Sequence, residues 1–207
     1  MSSVSVAAST VAASTQTLTT AQLLTEARTH NVWLPRPVSN EQLQAIYELA
    51  KFGPTALNGC PLRLQFVVSA EKRAQLLPLM MEGNRAKTAA APAVALLGMD
   101  LHYFEQLPKL FPYIDARSMV ANMPAERIEA QARLNAGLQI GYFIIAARSL
   151  GLDCGPMGGF DAAAVDAAFW GDRPVRTLVV CNLGYGDPAA LHPRGPRLAF
   201  EDVGAFV

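Results

Sequence analysis

The chain is 207 residues long, which is one sizeable domain or one subunit of an oligomer, with 51% hydrophobic and only 16% charged residues. Its 17 basic and 17 acidic side chains cancel, which removes the electrostatic reason to expect nucleic acid or an acidic membrane as a partner. A charged fraction below the usual quarter also predicts apolar surface turned toward a partner subunit.

Residues 1–19 hold no Lys or Arg, and the first cation is Arg28. A secretory signal needs a basic leading region and a mitochondrial presequence needs arginines. This stretch is therefore expected to be a weakly ordered tail of a cytoplasmic protein, ahead of one domain over 20–207. Cys60, Cys154 and Cys181 show no C-x-x-C spacing and read as buried thiols in a reducing compartment. His30, His102 and His192 lie too far apart for an H-x-x-x-H pair, which argues against a protein-held metal.

Thr20 is placed to cap a helix through about Thr29, with Leu23, Leu24 and Ala27 on one face. It ends on Arg28-Thr29-His30-Asn31, a cation followed by hydroxyl and imidazole donors, which suits a phosphate; a solvated helix end is the competing reading. Pro35 and Pro37 mark a turn, and Ser39 or Asn40 caps a helix over 41–51 with Leu43, Ile46, Tyr47 and Ala50 inward. The run Gly53-Pro54-Thr55-Ala56-Leu57-Asn58-Gly59-Cys60-Pro61 is too rich in turn formers for regular structure, and its Thr and Asn are turn-makers or ligand donors. A strand is expected over 64–68, a helix over 71–77 closed by Pro78, and a helical piece over 84–91 carrying Arg85 and Lys87. Residues 93–99 are wholly apolar, hence a second strand central in a sheet. Residues 100–122 are irregular or weakly helical and hold Tyr103, Phe104, Phe111 and Tyr113, a pocket wall or plain packing over the sheet.

The stretch 126–161 reads as one long helix to 150 and then a glycine-rich loop. Apolar residues on most of its circumference predict a buried helix, and Gly151 suits a C-terminal stop that needs positive φ. Gly155-Pro156-Met157-Gly158-Gly159-Phe160-Asp161 follows, with Asp161 capping a helix over 162–169. Bare peptide N–H groups beside a helix N-terminus suit a flat, hydrogen-bond-accepting ligand; on this stretch alone a plain helix–turn–helix accounts for the pattern at least as well. A third strand is expected over 177–183. The letters Gly184-Tyr185-Gly186-Asp187-Pro188-Ala189 after it fit G-x-G-x-x-A, but no helix and second strand follow, so a strand-to-loop turn is preferred. The tail carries Arg194 and Arg197. Helices outnumber strands and do not alternate with them singly, which argues α+β over a doubly wound sheet.

Four separated segments, in order and spacing, resemble the flavin-dependent nitroreductase superfamily: Arg28-Thr29-His30; Gly53-Pro54-Thr55 with Asn58 and Pro61; Leu150-Gly151-Leu152 running into residues 156–161; and Arg197 before Phe200-Glu201-Asp202. The resemblance runs from about residue 20 to 203. Within the superfamily the chain is most similar to the malonic semialdehyde reductase branch of uracil degradation. The shared words include Ala27-Arg28-Thr29-His30-Asn31, Tyr103-Phe104-Glu105 and Asp115-Ala116-Arg117-Ser118.

The resemblance implies a nitroreductase-like α+β fold, with a mostly antiparallel sheet wrapped by helices and the long helix at a homodimer interface. It implies bound FMN, NADH or NADPH as co-substrate, and hydride transfer through flavin N5 with no catalytic side chain. Arg28 and Arg197, helped by Thr29 and His30, would hold the FMN phosphate. Pro54, Thr55 and Asn58 would reach the flavin from the partner. Asn84 and Lys87 would sit at its pyrimidine side, and Pro156, Met157, Gly158 and the Gly159 N–H would line the ring near N5. Arg117 is the candidate for the carboxylate of a short aldehyde acid, with a salt bridge to Asp115 or Glu126 as the competing reading.

Overall fold

Every side chain from Ala93 to Met99 is buried, which a strand achieves only when both faces of its sheet are covered. Ala93, Ala95 and Leu97 face one layer of helices; Val94 and Leu96, one residue out of phase, face the other. The computed structural model describes residues 19–207 and builds this core as follows. The strands are β1 (Leu62–Val67), β2 (Ala93–Asp100), β3 (Asp153–Met157) and β4 (Val175–Gly184). They pair in the order β1-β2-β4-β3, antiparallel throughout. The helices are α1 (Asn40–Ala50), α2 (Ala70–Leu76), α3 (Glu82–Ala90), α4 (Leu107–Leu110), α5 (Ala116–Ala121), α6 (Ala125–Ser149), α7 (Ala162–Phe169) and α8 (Phe200–Val203). The architecture is α+β, with a central antiparallel sheet between helical layers.

Helix α6 is the long helix expected, and Gly151 follows it at φ 75°. It is not buried all round. Ala132, Asn135, Ala136, Gln139, Ile140, Phe143, Ala146 and Ala147 form the buried face at helical spacing, while Leu134 (67% exposed), Leu138, Tyr142 and Ile145 line the opposite side of the single chain. The buried face packs with Leu43, Ile46 and Ala50 of α1 over β1 and β2. Two of its residues are amides. The Gln139 Oε1 accepts from the Leu62 N–H at 2.9 Å, and the Asn135 Oδ1 accepts from the Ala56 N–H at 2.7 Å. Loop and strand starts leave such N–H groups without ladder partners, and a buried donor must find one.

Local capping chemistry explains several boundaries. Ser39 and Gln42 form a reciprocal capping box at α1, and Asp161 accepts from the Ala164 N–H to start α7 over the expected residues. Other expectations need correction. The helix from Thr20 to Thr29 shrinks to one π-turn, Ala21–Thr25, and its cap is Thr19, whose hydroxyl accepts from the Gln22 N–H, not Thr20. Tyr47 points outward, 45% exposed. Residues 153–157, read as part of the loop after the long helix, form the edge strand β3; Pro156 is tolerated there because an edge strand has one side without a ladder partner. Cys154 and Cys181 are buried, but Cys60 is partly exposed. The neighbouring Cys154 thiol and burial push the Cys181 thiol well above the usual range, so it is no nucleophile. The tail expected over 1–19 falls outside the described residues except for Thr19.

Replacing Gln139 by Leu should keep the volume of α6 but strand the Leu62 N–H, lowering stability by about 1–3 kcal/mol in urea denaturation. A loss of a few tenths would mean that water replaces the amide.

Candidate functional site

The first element of the site comes from the two ends of the described chain. Arg28 donates to the His192 carbonyl at 2.5 Å, and Arg194 donates back to the Ala27 carbonyl at 3.0 Å. Arg148, in the last turn of α6, donates to the Leu23 carbonyl at 3.0 Å, and Arg197 to the carbonyls of Gly195 and Pro196. These four arginines, with Leu24, Ala27 and Thr29, line a cleft of about 370 Å³. Among the described residues no carboxylate lies within ion-pair distance of any of the four. Carbonyls orient the guanidiniums without neutralising them, which leaves planar donors and uncompensated positive charge facing one space. Such an arrangement is chemically suited to an anion.

Arg28, Thr29 and Arg197 therefore meet, as the sequence suggested. Arg148 and Arg194 were not assigned there. A cation in a helix's last turn is ordinary dipole compensation, and nothing local marks it as a ligand. His30 does not line the cleft. It is 6% exposed, with Nε2 3.5 Å from Asp153 Oδ1.

The second element is the turn after β3. Asn84 and Lys87, one turn apart on α3, are half-buried on the same face. The Asn84 amide donates to the Gly159 carbonyl at 2.8 Å, and the Met81 N–H donates to that same oxygen at 3.0 Å. A Cβ on Gly159 would come 2.5 Å from the Asn84 nitrogen, so close approach is why glycine stands here. Among the described residues the Gly159 N–H has no acceptor. Met157 is buried against Thr88, Pro156 is half-buried, and Gly158 is exposed with open space where a side chain would go.

The third element, loop 53–61, turns elsewhere. Leu57, Asn58 and Cys60 all adopt positive φ. Thr55 accepts from the Cys60 N–H at 3.1 Å, Asn58 donates to the Leu110 carbonyl at 3.0 Å, and Pro54 is exposed. None of them bonds to the arginine cleft or to the Gly159 turn. Arg117 makes a bidentate pair with Glu105, at 2.7 and 2.8 Å, rather than with Asp115 or Glu126. That pair holds the Glu105 carboxyl below its ordinary range and the Arg117 guanidinium above its own.

The G-x-G letters at 184–186 have a packing cause. A Cβ on Gly184 would meet the Pro92 ring at 2.6 Å, and one on Gly186 would meet His30 Nδ1 at 1.9 Å. An apolar cleft of about 500 Å³ between α1 and β1 has Arg63 as its one charged lining residue, and Arg63 is committed to Asp100 at 2.6 Å. No group of His, Cys, Asp and Glu among the described residues could hold a metal, and no described helix is long and apolar enough to cross a membrane.

A sequence profile described as the Nitroreductase family matches residues 24–185. A protein of Leptothrix cholodnii is 61% identical over 92% of this chain and 97% of its own length; one of Ralstonia nicotianae is 54% identical over 88% and 93%. Both carry the name "Putative NADH dehydrogenase/NAD(P)H nitroreductase". The crystal structure of a "putative nitroreductase in complex with FMN" from Exiguobacterium sibiricum superposes with a TM-score of 0.82. It is 23% identical and covers 94% of this chain and all of that one, a likeness of fold.

The carboxylate-free cleft makes its own prediction. Inorganic phosphate should raise the melting temperature of protein stripped of small molecules, with about 2.7 kcal/mol of added stability at a hundredfold excess over Kd. The double variant Arg28→Ala, Arg197→Ala should lose that response in a thermal scan, and an undiminished response would place the anion elsewhere.

Proposed function

Since the chain belongs to the nitroreductase family, we propose that it is an FMN-dependent NAD(P)H oxidoreductase acting as a homodimer in the cytoplasm. The observation that carries this reading is the arginine cleft that lacks any carboxylate, set in a chain of this family. The residues fit the mononucleotide. Arg28 and Arg197, with Arg148, Arg194 and Thr29, would hold its one terminal phosphate. The Gly159 N–H, unpartnered among the described residues, would meet a ring acceptor, while Asn84 and Lys87 would flank the pyrimidine edge and supply the cation and amide that favour negative charge there. When bound, FMN supplies a two-electron carrier that accepts a hydride from NAD(P)H and passes it to a second substrate. The protein's part is to hold, orient and exclude water, which accounts for a site with no nucleophile or general base.

The dimer follows from two features. Leu134, Leu138, Tyr142 and Ile145 give α6 an apolar outer stripe, and Pro54, Thr55 and Asn58 lie on a loop that does not join the rest of the site within one chain. A second copy covers the first and supplies the second. Purified protein should be yellow and should release FMN rather than FAD. Leu138→Lys, which puts a charge at the centre of the stripe, should give a monomer depleted of flavin. Light scattering with a visible spectrum checks both together, and a monomer of full flavin content would overturn the shared site.

For the substrate, we propose a short aldehyde acid such as malonic semialdehyde, reduced to 3-hydroxypropionate. The resemblance in residues 103–118 supports it. Arg117 offers the planar fork a carboxylate prefers, and Glu105 already occupies that fork, so a substrate acid exchanges with Glu105. Arg117→Ala should lower kcat/KM for the semialdehyde by roughly tenfold to a hundredfold, equivalent to about 1.5–3 kcal/mol, and leave quinone reduction nearly unchanged. Glu105→Gln should raise it. Equal losses toward both acceptors would make Arg117 structural, and no loss toward either would favour the second reading, a nitro or quinone reductase at the same flavin site, which the names of the relatives support.

A further inference from the structure

His30 is the one member of the Arg28-Thr29-His30 run that the cleft does not use, and its surroundings are built in detail. Its ring is 6% exposed, and Nε2 faces the Asp153 carboxylate at 3.5 Å. The other Asp153 oxygen accepts from the Gly186 N–H at 2.9 Å, and Gly186 lies so close under the ring that a Cβ would overlap Nδ1. Nδ1 is buried with no partner. The backbone repeats the pattern. The His30 N–H donates to the Cys154 carbonyl at 3.2 Å, Leu34 to the Tyr185 carbonyl at 2.8 Å, and Asp187 to the Val32 carbonyl at 3.0 Å. A Cβ on Gly155 would meet the His30 carbonyl at 2.7 Å. At the far end of the segment the Trp33 indole donates to the Lys87 carbonyl of α3 at 3.2 Å.

Residues 28–34 thus run between the start of β3 and the turn after β4, with Arg28 at one end and the helix of Asn84 and Lys87 at the other. We infer that His30 is a positioning residue. Its contact with Asp153 fixes this segment on the edge of the sheet and so aims Arg28 into the anion cleft in register with α3. The short segment has no helix of its own to hold Arg28, since the preceding π-turn ends at Thr25. The other contacts of the segment are the backbone bonds to Cys154, Tyr185 and Asp187 and the Trp33 bond to Lys87, and beside Arg28 itself the Cys154 bond and the His30 side chain are what tie it to β3. This inference rests on the reading of the cleft as the FMN phosphate site.

The test is FMN dissociation from the full-length protein, followed by recovery of flavin fluorescence on dilution. His30→Ala should weaken FMN binding by about tenfold or more. His30→Gln, whose amide nitrogen reaches the place of Nε2, should recover most of that loss. Asp153→Ala removes the same contact from the other side and should match His30→Ala; it carries the test if His30→Ala does not fold. In an Arg28→Ala background the His30 substitution should have little further effect, because the segment then has no Arg28 to aim. An undiminished affinity in folded His30→Ala, or a full and additive loss in the Arg28→Ala background, would overturn the positioning role. Wild-type protein that binds no FMN would instead overturn the functional reading on which it rests.

Discussion

The contact between α6 and the sheet is the constraint on which the other parts depend. Phe143 is fully buried between that helix and the strands, and burying such a ring stabilises by about 1.5–3 kcal/mol. Around it the helix presents mainly Ala, whose small side chains let the backbone come close to β1 and β2. The amides of Asn135 and Gln139 are exceptions on that face, and both are used at once. They satisfy N–H groups at Ala56, inside loop 53–61, and at Leu62, where β1 leaves that loop. The helix thereby fixes the depth of the sheet and the path of the loop in one step.

The charge distribution shows why a net charge of zero says little about a site. Glu105 pairs with Arg117, Asp100 with Arg63, and Glu129 with Arg133 and Arg176. Among the described residues Arg28, Arg148, Arg194 and Arg197 have carbonyls as their partners and no carboxylate. Exposed ion pairs of the first kind contribute little to stability. A group of like charges without counter-ions is costly unless an anion joins it. This segregation marks the cleft more clearly than its size does.

Glycine has a separate cause at each of the positions that matter. At Gly155 and Gly186 it admits the His30 segment, at Gly184 the Pro92 and Trp33 rings, and at Gly159 the Asn84 amide. In all four places the letter stands for close packing, and at 184–189 that packing accounts for the G-x-G-x-x-A letters without the dinucleotide loop that the missing helix and strand already argued against.

The sequence by itself determined what short-range chemistry can decide. The Ser39 and Asp161 caps, the positive φ at Gly151, the central apolar strand and the long helix are all set by neighbours within a turn or two. So is the grouping of Arg28 with Thr29, and the later segments that match the family. Tertiary structure decided whatever needs partners far apart in the chain. It made an edge strand of residues 153–157, because β4 supplies a ladder that local propensity cannot reveal. It exposed one face of α6, since which apolar stripe meets the sheet depends on the sheet. It brought Arg148 and Arg194 to Arg28 across more than a hundred residues, and it turned His30 away from them toward Asp153. Guanidinium and imidazole are long enough to reach several neighbours, and the backbone path alone selects among them.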